Sequence, residues 1–154
     1  MQIALYQPDI PQNTGTILRL SACLNVTVHI IEPAGFILRD KDLRRAAMDY
    51  LARADYQRHL SWDHFLEYLK DRDSRLILLT STAEVSYTDI AFRPSDVLLL
   101  GRESAGAPPE VHARADERIR IPMAEGARSL NIAMACSMVL GEALRQTGGF
   151  PVKL

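Results

Sequence analysis

Val97-Leu-Leu-Leu-Gly-Arg-Glu-Ser-Ala-Gly106 is the stretch that decides the fold. Four consecutive apolar residues run straight into a polar loop bounded by glycines. A run this short and this uniformly apolar fits a strand covered on both faces, as in a parallel sheet. Ile3-Ala-Leu-Tyr6, Val26-Thr-Val-His-Ile-Ile31 and Leu76-Ile-Leu-Leu79 repeat the pattern, and Ile119-Arg-Ile121 is a weaker fifth case. Helix-like segments separate these runs, and no Asn-Gly or Asp-Gly hairpin signal stands between them. The sequence therefore predicts an α/β fold: one domain over 1–154, a mostly parallel sheet, and helices on both faces. In open sheets of this kind the ligand crevice lies beyond the carboxyl ends of the strands. The loop 101–106 is placed there.

Composition bounds the rest. The chain has 154 residues, enough for one domain with its own core. Hydrophobic residues make up 47% and charged residues 24%, the balance of a soluble globular protein. No apolar stretch is long enough for a membrane span, and no basic leader precedes the first strand, so a cytoplasmic protein is expected. The net charge of −1 argues against nucleic-acid binding driven by overall charge and leaves room for a local basic patch. Cys23 and Cys136 have no Cys or His at metal-ligand spacing. They are expected to be small buried thiols, with no disulfide and no metal. His29, His59, His64 and His112 are dispersed and receive no role.

The first helix is expected over 14–24, with Asn13 as its N-cap and Ile17, Leu20, Ser21 and Leu24 on one stripe. Arg19 points away from that stripe. Gly15, Thr16, Ala22 and Cys23 around it are small, so a substrate or another chain has room to approach. Asp40 is expected to cap a short helix carrying Lys41, Arg44 and Arg45. Ser61 is expected to cap another, with Trp62, Phe65, Leu66 and Leu69 as its apolar stripe. The segment 81–96 reads as a long irregular connection, and Pro108-Pro109 as the start of a short helix. The last helix, 130–146, opens after Ser129, its expected N-cap. Its first half is apolar on nearly every side, so it must be buried on every side. One side is expected on the sheet and the other on a partner subunit, most simply in a two-fold homodimer.

Three polar islands fall at strand–helix junctions: Asn13-Thr-Gly-Thr-Ile-Leu-Arg19, Gly101-Arg-Glu-Ser-Ala-Gly106, and Ile121-Pro-Met123 with Ser129-Leu-Asn131. The second could be only a tight turn, and two features disfavour a phosphate loop. Its G-x-x-x-x-G spacing is not followed by Lys-Ser or Lys-Thr, and G-x-G-x-x-G occurs nowhere. Glu103 puts a carboxylate where phosphates need amides and cations, an arrangement that suits a cationic ligand without phosphate. Arg19 does not give up its proton readily, so its chemistry is to hold a phosphate or orient a hydroxyl. Gly126 lets the backbone come close to a ligand before Asn131. The cluster Arg39, Lys41, Arg44 and Arg45 reads either as a solvated face or as a patch that contacts phosphates.

Taken in order, the islands resemble the SPOUT superfamily of RNA methyltransferases, in its SpoU/TrmH branch of 2′-O-methyltransferases. Asn13 and Arg19 match the first motif. Gly101, Glu103 and Gly106 match the second, and Ile121, Pro122, Ser129 and Asn131 the third. Ile31-Glu-Pro33 and Leu43-Arg-Arg45 look like the smallest members, the TrmL-type tRNA (cytidine/uridine) 2′-O-methyltransferases of the wobble nucleotide, which lack the extra N-terminal RNA-binding domain of ribosomal-RNA relatives. Ala105 and Ala107 depart from the larger residues that relatives often carry.

The resemblance implies a C-terminal trefoil knot, a homodimer and S-adenosyl-L-methionine as cofactor. It implies a cofactor pocket at Leu79, Gly101, Ile121, Met123, Ser129 and Leu130. It also implies that Arg19, Asn13, Glu103 and Asn131 serve the reaction, with Arg19 acting in its own subunit or across the dimer. Arg39, Lys41, Arg44 and Arg45 would hold the anticodon stem-loop of tRNA. Methylation of another tRNA or ribosomal-RNA site is the alternative reaction, and a non-catalytic RNA-binding dimer of the same fold the alternative class.

Overall fold

In a computed structural model, residues 1–152 are described. The last two positions of the expected single domain lie outside the described residues. Seven strands form one sheet: β1 (Gln2–Tyr6), β2 (Thr27–Ile31), β3 (Tyr56–His59), β4 (Leu76–Leu79), β5 (Val85–Ser86), β6 (Val97–Leu100) and β7 (Glu117–Arg120). Their spatial order is β3-β2-β1-β6-β4-β7-β5, and every pairing is parallel. Among the described residues, five α-helices accompany them: α1 (Pro11–Leu24), α2 (Asp40–Ala47), α3 (Trp62–Leu69), α4 (Pro109–Arg114) and α5 (Ile132–Thr147), and a 3-10 turn, Met48–Arg53, follows α2.

The pleat explains why both faces are covered. In β1, Ile3 and Leu5 join one apolar cluster while Ala4 and Tyr6 join the other. In β6, Leu98 and Leu100 face the first cluster, Val97 and Leu99 the second. α1, α2 and α5 supply the first side through residues such as Ile17, Leu43 and Leu140. α3 and α4 supply the second through Phe65, Leu69 and Val111. The central strands are thus buried on both sides, which is why they read as continuous apolar runs.

The edges escaped the sequence reading. β3 is Tyr-Gln-Arg-His, with two exposed positions in the middle, and β5 has only two residues. Neither has an apolar run, because an edge strand needs less cover. The segment 81–96 is otherwise the irregular connection expected.

Several caps differ from expectation. α1 starts earlier, with Pro11 in its first turn and Ile10 at the N-cap, so Asn13 lies inside the helix and caps nothing. α2 is preceded by Arg39 rather than Asp40, and Asp40 is its first residue. Ser61 does cap α3, accepting from the His64 amide at 3.1 Å. Cys136 is buried and Cys23 is exposed, against the expectation of two buried thiols. Gly15 serves a neighbour within the chain: a Cβ there would lie 2.6 Å from the Ala46 carbonyl carbon, so the glycine lets α2 pack on α1.

Two histidines that seemed isolated meet in the core. His29 and His59 are both buried, and His29 Nδ1 lies 2.9 Å from His59 Nε2. His29 Nε2 lies 3.1 Å from Gln2 Oε1, an acceptor, so Nε2 carries the proton. Nδ1 then accepts from His59, which leaves His59 Nδ1 as a bare acceptor without a partner among the described residues. Burial, then His59, pushes His29 down to about 4; Asp55 opposes this and Arg72 adds to it. His59 is also lowered, by burial and by His64.

The unfolded chain takes up the His29 proton near its ordinary value of about 6.5. Between that pH and about 4, the unfolded state therefore binds more protons, so stability is lost as the pH is lowered. Denaturant midpoints should drop steadily from pH 7 to pH 4.5, and His29→Gln should flatten that slope. A parallel slope in the variant would remove His29 from the effect.

Candidate active site

All three polar islands converge at the carboxyl ends of β1, β4, β6 and β7. Around them is a cavity of about 440 Å³, within the range of small-ligand sites. Leu79, Gly101, Ile121, Met123, Ser129 and Leu130 all line it, as do Asn13, Glu103 and Asn131. Arg19 does not. It lies exposed on α1, with its guanidinium 4.8 Å from the centroid of the Tyr50 ring and Nη1 3.4 Å from the Met48 sulfur.

A chain of hydrogen bonds ties the islands together. The Ala133 and Met134 amides donate to Asn131 Oδ1 at 2.9 and 3.3 Å, so Asn131 is the N-cap of α5. This corrects the expectation for Ser129, which lies two residues before that cap. Asn131 Nδ2 donates to Asn13 Oδ1 at 3.0 Å. Asn13 Nδ2 lies 3.5 Å from Glu103 Oε1, and Glu103 Oε2 accepts from the Asp9 amide at 2.9 Å. Asp9 returns the contact by accepting from the Glu103 amide at 3.2 Å and from the Ser104 hydroxyl. Asp9 carries no sequence signal in the islands; its role follows only from the fold, which brings the end of β1 beside the loop after β6.

The electrostatics follow from the packing. Burial is the main cause raising the Glu103 carboxyl, and the neighbouring Asp9 side chain adds to it. Asp9 itself is held below its ordinary value by its hydrogen bonds to Glu103 and Ser104. Glu103 also stands beside the first turn of α1, whose positive end favours a carboxylate.

The loop 101–107 is closed by Arg102 and Gly106, which exchange backbone hydrogen bonds of 3.0 and 2.9 Å. Gly106 has φ +65°, a conformation that favours glycine. Arg102 forms part of the cavity wall, and its buried Nε has no partner among the described residues. A ligand oxygen would satisfy it. An apolar wall, a carboxylate and an unfilled donor together fit a cationic cofactor that also carries a carboxylate. Among the described residues, no cluster of His, Cys, Asp and Glu could hold a metal ion, and no helix is long and apolar enough to cross a membrane.

Asn131 does two jobs that substitution separates. Asn131→Ala removes the cap and should cost about 1 kcal/mol in chemical denaturation. Asn131→Asp keeps a capping oxygen and removes the donor to Asn13. It should hold wild-type stability while lowering turnover; full turnover in Asn131→Asp would show that the link to Asn13 is idle.

The basic cluster is exposed throughout, with Lys41, Arg44 and Arg45 on neighbouring turns of α2. Arg39, just before the helix, pairs with Asp42 at 3.1 Å.

A family model described as the SpoU rRNA methylase family matches residues 1–141. A tRNA (cytidine(34)-2′-O)-methyltransferase of Ancylobacter novellus is 56% identical over 150 residues, covering 97% of this chain and 95% of that one. The relative of the same name from Escherichia coli (strain K12) is 40% identical over 150 residues, with coverage of 96% and 94%. A solved structure described as giving insights into 2-OH methylation of C/U34 on tRNA superposes with a TM-score of 0.89 at 42% identity, covering 94% of each chain. The SpoU methyltransferase AviRb from Streptomyces viridochromogenes, in complex with AdoMet, superposes with a TM-score of 0.86 at 26% identity, over 95% of this chain and 60% of that one.

Proposed function

The chain belongs to the SpoU methylase family, and from that premise we propose that it methylates the ribose 2′-hydroxyl of tRNA nucleotide 34, a cytidine or a uridine. The methyl donor is S-adenosyl-L-methionine. The observation that carries this reading is the hydrogen-bonded line from α5 through Asn131, Asn13 and Glu103 to Asp9, wrapped around one cavity. It ties the three motifs of the family resemblance into one site, in a chain more than half identical to a relative named for this reaction.

S-adenosyl-L-methionine, when bound, supplies an electrophilic methyl group on a sulfonium. The apolar wall of Leu79, Ile121, Met123 and Leu130 holds the cofactor and keeps water from it. Glu103 would add negative charge to the cavity wall, which favours a cationic ligand, and Arg102 would offer its unfilled donor. Asn13 and Asn131 fix the loops with respect to α1 and α5. Most of the rate gain is positioning of two reactants.

Arg19 orients the 2′-hydroxyl or a phosphate beside it. It does so across a homodimer, in the partner subunit's cavity. Two features support this. Arg19 is absent from the lining of its own cavity and faces outward from α1. α5, packed on α1 and the sheet along one side, leaves Met134 60% and Met138 42% exposed on the other. Those methionines form an apolar face that a second copy would bury. The basic residues 39–45 hold the anticodon stem-loop, and the single domain works in the cytoplasm, where tRNA is. The C-terminal part is threaded as a trefoil knot. That threading is what the family resemblance implies.

The test is incubation with total tRNA, ribosomal RNA and methyl-labelled cofactor, followed by mapping of the labelled nucleotide. Label at the wobble ribose is expected. Label confined to ribosomal RNA would overturn the substrate, and absence of label would leave a non-catalytic RNA-binding protein.

A further inference from the structure

A second cavity, of about 700 Å³, lies against the other side of the first turn of α1. The active-site cavity is lined by Ile10 and Asn13 of this turn, and the second by Pro11 and Gln12. The two cavities are therefore separated by one helix, roughly 10–12 Å across with its side chains. The remaining walls come from the loop before α2 and from α2 itself.

Two kinds of group meet there. Phe36 and Ile37 give an apolar wall, and Ile37 is 68% exposed. Arg39 and Arg45 give a cationic one. Asp42 engages only Arg39, through Nε, and Arg45 has no ion-pair partner among the described residues. The net charge of the lining is positive. A bare phosphate would need the arginines and not the apolar wall. An apolar peptide would need the wall and not two arginines. A nucleotide uses both: single-stranded RNA is read by splaying bases out onto aromatic and arginine planes while cations hold the backbone.

We infer that this second cavity receives a nucleobase of the substrate RNA from a nucleotide flanking the methylated one, lying against Phe36 and Ile37 with its phosphate on Arg39 and Arg45. The inference rests on the proposed function. It makes Phe36 and Ile37 specificity-determining residues, and it lets the enzyme hold the loop on both sides of one helical turn while the target ribose enters the active site.

The experiment measures binding of the anticodon stem-loop by wild type, Phe36→Ala and Ile37→Ser, with a set of stem-loops each carrying one abasic nucleotide. Phe36 is half-buried against the core, so Phe36→Ala is checked for folding by thermal denaturation. Ile37→Ser, at an exposed position, keeps the test independent of folding. Phe36→Ala should weaken RNA binding about tenfold, as loss of one stacked base does. Ile37→Ser should weaken it less, and cofactor affinity should stay unchanged in both. One abasic position should weaken wild type to a similar degree, and the same stem-loop should bind Phe36→Ala no worse than the intact one does. Arg45→Gln should lower the salt slope by about 0.7.

Wild-type affinity in Ile37→Ser, or additive losses at every abasic position, would overturn the inference. So would a change of oligomeric state in Ile37→Ser by sedimentation, which would assign the surface to a second copy. A wild-type protein that neither binds nor methylates tRNA would instead overturn the proposed function, and the two failures are distinct.

Discussion

Arg19→Ala should abolish methylation while leaving cofactor affinity within about twofold of wild type. The expected fall in kcat is about 10²–10⁴-fold, the usual contribution of a positioned polar group acting on a hydroxyl. Cofactor affinity should survive because Arg19 is assigned to the substrate hydroxyl or its phosphate, and the cofactor wall is made of Leu79, Ile121, Met123 and Leu130. Stability should fall by less than about 0.5 kcal/mol, since the side chain is exposed. Arg19→Lys should not rescue turnover, because a point charge cannot reproduce the planar fork of a guanidinium. Calorimetry for cofactor and single-turnover kinetics for methylation read the two properties separately. Full activity in Arg19→Ala would remove the residue from the mechanism.

The same variant tests the dimer. A composite site predicts complementation between Arg19→Ala and a variant whose cofactor cavity is closed. Mixing equal amounts after unfolding gives half of the dimers as hybrids, each with one competent site, so activity should return to about one quarter of wild type. A mixture that stays inactive would place Arg19 with its own cavity.

The central strands and the polar islands were legible in the sequence for a physical reason. Val97–Leu100 and Leu76–Leu79 are buried on both faces, so burial writes itself into every position. The glycines and polar residues that follow have no place in such a strand and so mark the loops. The edges were not legible, because β3 and β5 gain their order from a neighbour and not from their own pattern.

The caps were misread for a different reason. Asn13 and Ser129 are good capping residues by type, but Pro11 starts α1 earlier and Asn131 captures the α5 amides instead. Asn13 is thereby left free to bridge Asn131 and Glu103, which lie 118 and 90 residues from their partner in sequence. Pairings at such separations leave no local periodicity. The same holds for His29 and His59, which meet only because β2 and β3 are neighbours.

Gly101→Ala should cost the enzyme its cofactor, and the cause is steric. A Cβ on Gly101 would lie 2.7 Å from the Ala107 amide nitrogen, 2.7 Å from the Gly106 carbonyl carbon and 3.0 Å from the Gly106 Cα. All three are backbone atoms, so no side-chain rotation relieves the overlap. The loop 101–107 must move away from the end of β6, and it carries Arg102, Glu103 and Ala107, all part of the cavity wall. Moving Glu103 also breaks its bonds to Asp9 and Asn13, and with them the link to Asn131 and α5. The stability cost should be about 1–3 kcal/mol, as for other overpacked sites. The loss of cofactor affinity should be larger in effect, more than about tenfold, because the wall moves as a unit.

Gly106→Ala separates sterics from backbone strain. No atom lies within 4 Å of the added Cβ, but φ is +65°, so that variant should lose about 1–2 kcal/mol of stability from strain alone. Wherever the strained conformation survives, the cavity keeps its shape, and cofactor affinity should fall less than in Gly101→Ala. Equal losses in the two variants would show that loop conformation in general, and not the close approach at Gly101, holds the cofactor.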